Sequence, residues 1–280
     1  MTGTLHLFSV DVEEHFQVSA FDDVLRRDEW DAQPSRVEAS TDRLLELLDR
    51  HGATGTFFTL GWVAQRQRGL IERIAAAGHE LASHTWWHRR VNAGTAQEFR
   101  EEVARSRDIL EGITGLKVDG FRAPSFSITP GTDWAFDVLL EEGYTYDSSL
   151  FPIRRPGYGY PASPVSPHAI TRPAGRLLEF PLATLSLPGL RVPAAGGGYL
   201  RQFPLGVIRA AFRQLAARGQ PGMFYIHPWE IDPEQPRLPV GWLTRVRHYR
   251  GLEQAAGRLE RLLSEFRFTS VREWLMANPI

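Results

Sequence analysis

Two histidines four residues apart close the stretch HTWWH at positions 84–88, a spacing that suits either a clamp on one metal ion or an unrelated core and surface pair. His84 and His88 face one side if the chain turns helical after a preceding strand, and they then need a further ligand. SVDVEEHF (9–16) is a source of one. Side chains alternate along a strand, so Asp11 and Glu13 share a face about 7 Å apart while Glu14 points away. Glu13 is the better ligand. A lone carboxylate at a strand end is equally a helix cap, but two on one face after a buried apolar strand point to a site. The chain contains no cysteine, so disulfides and thiolate chemistry are excluded and any metal is held by His and carboxylate.

Three further polar residues stand in strand-end settings: Arg122 in FRAPS, Asp147 in YDSS and His227 in FYIHPWE. Arg122 is either a surface ion pair or the partner of a nearby carboxylate. Asp147 is a turn residue or part of the site. His227 has the side chain type suited to proton donation near neutrality, which favours a general acid over a structural histidine. Trp86 and Trp87 read as core, with an aromatic face beside the site as the functional alternative. Lys117 is the only lysine and sits in the turn-like GLKVDG, where a solvated role is expected. His6, His51, His79, His168 and His248 receive no role.

The elements that must position these residues alternate in type. Strands are expected at 5–12, 54–60, 79–84, 118–125, 144–149, 177–187, 222–229 and 266–271. Helices are expected at 37–51, 63–78, 95–115 (capped by Thr95), 133–143, 205–218 and about 248–265. This rhythm predicts an α/β fold, a distorted (β/α) barrel of about seven parallel strands. A single domain over 1–280 is expected, with irregular loops at about 151–176 and 188–204 and a C-terminal helical extension at about 241–280. Gly196–Gly198 reads as a mobile loop. The polar candidates all fall at or just beyond strand C-terminal ends, the face that carries chemistry in parallel barrels.

Composition narrows the partners. A net charge of -1, with no lysine or arginine cluster, gives no footprint for a nucleic acid. No nucleotide-binding glycine pattern opens a helix. The start, MTGTLHLFSVDVEEHF, reads as neither signal peptide nor membrane anchor, so a cytoplasmic protein without a transmembrane segment is expected, acting near the inner membrane if its substrate is there.

Taken in order, SVDVEEHF, HTWWH, FRAP, YDSS and YIHPWE resemble the motifs of the polysaccharide deacetylase superfamily, chitooligosaccharide-deacetylase-like carbohydrate esterases. DVEEHF, LLEFPLATL, GGGYLR, HPWEIDPEQPRLP and RHYRGLEQAAGRL further resemble the branch found with bacterial exopolysaccharide and exosortase loci. The resemblance implies a barrel of fewer than eight strands, Asp11 as catalytic base, Glu13, His84 and His88 as ligands of a divalent ion such as zinc, Arg122 as partner of Asp11, His227 as general acid and Asp147 as the residue orienting His227. Ser125, Trp87, Tyr199 and Trp229 are expected on the substrate side, with a backbone N–H near Ser125 at the oxyanion. One position departs from the pattern: the superfamily usually places Asp where this chain has Glu13.

The expected reaction is hydrolysis of an acetamide on a saccharide or polysaccharide, without a covalent intermediate. Hydrolysis of a small linear or cyclic amide and an inactive carbohydrate-binding barrel are the alternatives. An open groove would favour the polymer.

Overall fold

The computed structural model describes residues 3–155 and 157–279. In chain order its elements are β1 (Leu5–Val12), α1 (Val37–Arg50), β2 (Thr56–Thr59), α2 (Gly61–Arg66), α3 (Arg68–Ala76), β3 (Glu80–Ser83), α4 (Ala96–Thr114), β4 (Gly120–Phe121), α5 (Trp134–Glu141) and β5 (Tyr146–Asp147). Then come β6 (His168–Arg172), β7 (Gly175–Glu179), β8 (Thr184–Leu187), β9 (Leu190–Pro193), α6 (Gly197–Gln202), α7 (Leu205–Ala216), β10 (Met223–Ile226), α8 (Trp242–Tyr249), α9 (Leu252–Glu265), β11 (Arg267–Thr269) and α10 (Val271–Ala277).

Local sequence explains the clearest of these. In β1 the side chains of Leu7, Phe8, Val10 and Val12 are all buried, as a parallel strand covered on both faces requires. At α4 the Thr95 hydroxyl accepts from the Glu98 N–H at 3.2 Å while the Glu98 carboxylate accepts from the Thr95 N–H at 2.9 Å. This reciprocal cap satisfies two of the donors a helix start leaves free. Gly115 ends the helix at φ 67°, a conformation that a β-carbon disfavours.

Parallel pairing runs in the order β10-β1-β2-β3-β4-β5-β7, and a parallel bridge between Leu182 and Met223 joins the two ends. The result is the expected barrel of seven parallel strands, short and irregular at β4 and β5. Strand β11 adds to β1 through Leu5–Leu7, so the C-terminal segment supplies a strand to the sheet as well as helices.

Several boundaries differ from the pattern-based reading. The expected strand 177–187 is two strands in separate sheets: β7 pairs with β5, whereas β8 forms a hairpin with β9. Its apolar run is continuous, but the regular ladder with β5 ends at Glu179, and the chain leaves the barrel wall only after the Leu182–Met223 bridge, to enter the β8–β9 hairpin. The first irregular loop contains β6, antiparallel to β7, and the second contains β9 and α6. Helix 248–265 is α8 and α9 broken at Gly251, which takes φ 78°; a β-carbon there would lie 2.8 Å from the Arg201 carbonyl. Gly196–Gly198 is no free loop: it opens α6 and packs against Tyr225 and Glu230.

Candidate active site

Asp11, Glu13, His84, Arg122 and His227 converge at the C-terminal end of the barrel because each follows or ends an adjoining parallel strand. Glu14 turns away as expected. Its carboxylate accepts from the Arg36 and Val37 N–H groups at 2.9 and 3.1 Å, at the start of α1.

The two histidines meet without a helix, which corrects the expected geometry. β3 stops at Ser83, and Thr85 and His88 take positive φ values of 64° and 53° in a tight turn that brings the two rings to 5.4 Å between centroids. The turn is pinned when Gly61 N–H donates to the Thr85 carbonyl at 2.9 Å. Gly61 is needed there, since a β-carbon would come within 2.3 Å of the Trp86 ring.

Potential ligand atoms of Glu13, His84 and His88 lie within 4.8 Å of one another. His84 Nδ1 is 2.8 Å from the Arg122 carbonyl and so donates to it, leaving Nε2 free to face the cleft. Burial drives the His84 pKa down to about 4, which keeps the ring neutral as a ligand must be. Burial alone would raise Glu13, but His88 and His227 beside it win and hold it at about 2. Glu13 Oε2 is buried without a hydrogen-bond partner, 2.9 Å from His88 Nε2. A buried carboxylate and two imidazoles with ligand atoms this close are a donor set that fits zinc or a related divalent ion.

Arg122 is wholly buried, and its guanidinium is bonded on every side. It donates to Asp11 at 2.6 Å, to the Ser9 hydroxyl at 2.9 Å, and to the carbonyl and hydroxyl of Ser148 at 3.0 and 2.9 Å. Ser9 and Ser148 pass on a hydrogen bond each, to the Phe224 and Phe180 carbonyls. The guanidinium lies 4.0 Å from the Phe58 ring centre. Asp11 is thereby held rigidly, with its second oxygen 3.9 Å from His227 Nε2.

The partner of His227 is Glu230 and not Asp147. His227 Nδ1 sits 3.0 Å from Glu230 Oε2, and Glu230 is braced by the Arg201 guanidinium at 3.1 Å. Asp147 lies on β5 in register with Glu179 of β7, and it accepts from Ser149 at 2.5 Å. Both carboxylates are fully buried, and burial raises both pKa values. Both expected substrate-side tryptophans also have other duties. Trp229 is buried, donates to Glu13 at 3.2 Å and stacks on His227 with ring centres 4.9 Å apart. Trp87 lies over a separate groove with Trp86, Glu98 and Arg105.

Ser125 and Tyr199 do line the cleft, a cavity of about 230 Å³ that also contains Ser19, Phe126, Tyr158 and Tyr225. Ser19 bonds the Ser125 hydroxyl at 2.9 Å, and the Tyr158 and Tyr199 hydroxyls are 3.2 Å apart. Ser125 takes φ 54°, an uncommon conformation for a residue with a side chain, at the wall of the cleft. Glu230 and Arg201 escaped the sequence reading because His-Pro-x-Glu is indistinguishable from a helix-capping pattern. The Glu230 carboxylate does accept from the His227 N–H at 3.1 Å.

Gly197 tests this bracing. A β-carbon there would lie 1.9 Å from Glu230 Oε2, between backbone and a carboxylate that cannot move without leaving His227 or Arg201. Gly197→Ala is expected to destabilise the fold by about 1–3 kcal/mol and to lower activity beyond that loss. Thermal melts alongside turnover of the folded fraction measure both. Unchanged specific activity would place Glu230 outside the working site.

Residues 11–146 match the family profile described as polysaccharide deacetylase, and residues 148–276 match a domain of unknown function, DUF3473. The chain is 25% identical over 149 residues to the peptidoglycan-N-acetylglucosamine deacetylase of Bacillus cereus, covering 49% of this chain and 53% of that protein. It is 34% identical over 100 residues to the chitooligosaccharide deacetylase of Sinorhizobium fredii, covering 35% and 44%. The chain thus spans about half the length of these curated relatives or less. Its fold matches a Mycobacterium smegmatis crystal structure assigned as a polysaccharide deacetylase, with TM-score 0.66 at 20% identity, covering 99% of this chain and 91% of that one.

Residues 11–146 carry a polysaccharide deacetylase family domain, which DUF3473 continues over residues 148–276. The border between the two profiles cuts through one barrel: β1 to β4 lie before it, β5 straddles it, and β7, β10 and His227 with Glu230 lie after it.

Proposed function

We propose that this chain is a metal-dependent hydrolase that removes N-acetyl groups from an N-acetylated exopolysaccharide or its precursor saccharide. The observation that carries the reading is the convergence, in one cleft, of a braced carboxylate, a three-ligand His/His/Glu set and a histidine facing both. A binding module has no use for all three together.

Glu13, His84 and His88 would hold the ion, which when bound supplies Lewis acidity towards water and the amide carbonyl. Asp11, oriented by Arg122, accepts a proton as water adds to the carbonyl carbon. The backbone beside Ser125 faces the oxygen on which negative charge gathers. His227 then donates its Nε2 proton to the amide nitrogen as the C–N bond breaks, releasing acetate and a free amine. Glu230 holds Nδ1 and favours the protonated ring. Together with Glu13 and Asp11 it overcomes the opposing effect of burial and raises the His227 pKa to about 9. The tyrosine-lined mouth offers flat faces and hydroxyls to a pyranose ring.

Acetate and free-amine release from a panel of N-acetylated saccharides, with and without chelator, tests the activity. The ligand set is tested apart from it: His84→Ala/His88→Ala is expected to lose bound divalent metal by elemental analysis. Undiminished metal content would overturn the assignment.

A further inference from the structure

Helix α8 presents an apolar face to solvent. Trp242, Leu243 and Val246 are 74%, 49% and 36% exposed. At 3.6 residues per turn they fall within about 100° of arc, flanked on either side by Arg245 and Arg247. Arg237 and Arg250 extend the same surface, and all four arginines are exposed. No Asp or Glu occurs between Glu234 and Glu253, and Glu234 is turned towards Arg36 at 3.8 Å. Among the described residues, none of the four arginines lies within 4.0 Å of a carboxylate. In a chain of net charge -1 this is a local segregation of positive charge around exposed apolar side chains.

The surface is joined to the cleft wall through one packed layer. Behind it, Tyr249 and Leu252 pack with Phe21, against which Val18 of the cleft wall also rests. His248, on the inner side of α8, stacks on Trp229 at 4.2 Å, and Trp229 stacks in turn on His227.

We infer that α8 and the arginines around it dock onto an anionic lipid bilayer, placing the mouth of the cleft beside the membrane. An indole and two aliphatic side chains bordered by arginines are the composition of a helix lying in the headgroup region. A saccharide would gain little from Leu243 and Val246, which offer neither hydrogen bonds nor a flat ring. A second copy of the chain would set like-charged borders against each other, and three side chains fall short of the roughly 800 Å² per partner of a stable interface. The substrate then accessible is a saccharide carried on lipid, a corollary that rests on the deacetylase reading.

Co-sedimentation with vesicles tests the surface without turnover, so its failure leaves the hydrolase reading standing. The protein is expected to bind vesicles of phosphatidylcholine and phosphatidylglycerol in equal amounts, and to be released by salt. R245Q/R247Q is expected to lower the partition coefficient about 30-fold, and W242S/L243S roughly 10-fold or more. Both variants should keep full activity on soluble saccharide. Absence of vesicle binding, equal binding to pure phosphatidylcholine, or a dimer that W242S/L243S dissolves in place of vesicle binding would each overturn the inference.

Discussion

Asp11→Asn is expected to lower kcat by about 10³-fold while leaving bound metal in place. The side chain keeps its shape and can still accept from Arg122, so the loss isolates proton acceptance. Stability should move as well. Arg122 has no exposed surface, and Asp11 is the carboxylate against it at 2.6 Å. Neutralising one member of such a pair strands the other charge, which costs about 3–5 kcal/mol when no acceptor remains. Asn retains one acceptor, so a loss at or below the lower end is expected. Single-turnover kinetics, elemental analysis and denaturant melts on the same preparation check the three parts. Loss of metal in this variant would move Asp11 into the ligand set and exchange its role with that of Glu13.

His227→Ala should separate two kinds of substrate. An amine leaves only when protonated, so N-deacetylation is expected to fall by about 10²- to 10⁴-fold. An aryl acetate expels a good leaving group unaided, and its hydrolysis should change little. Equal losses on both, in a variant shown to be folded and metal-loaded, would make His227 structural. The pH profile adds a second reading. The active form of His227 is protonated, so the rate falls as pH rises through its pKa, which burial lowers and the carboxylates of Glu13, Glu230 and Asp11 raise. Glu230→Gln removes one of those carboxylates and should carry the alkaline limb to lower pH, whereas a merely structural Glu230 would leave it in place. The acidic limb belongs to the coupled site as a whole.

Much of this architecture was legible in the sequence because it is written in short-range terms. The apolar run of β1, the reciprocal cap at Thr95 and the period of α4 depend on residues within a few positions of one another, and all lie where the patterns place them. Alternation along β1 likewise separates Asp11 and Glu13 from Glu14, since the pleat sets opposite directions for neighbouring side chains. The alternation of strand and helix is enough to imply a parallel barrel with its polar residues at one end.

Tertiary structure alone decided which polar side chains meet. Asp147 and Glu230 both stand near strand ends, and nothing local distinguishes them. Strand register sends Asp147 across to Glu179, while the turn after β10 folds Glu230 back under His227, where Arg201 from α6 compensates its charge. Trp229 could have faced a sugar; packing between His227 and His248 turns it inward instead. His84 and His88 converge through two left-handed residues in a turn held by Gly61, a conformation their spacing does not encode. The contacts that fix these arrangements, Asp147 with Glu179, Glu230 with Arg201, Trp229 with His248 and Gly61 with Thr85, join residues well apart in the chain, and their geometry follows from strand register and close packing, which a one-dimensional pattern does not contain.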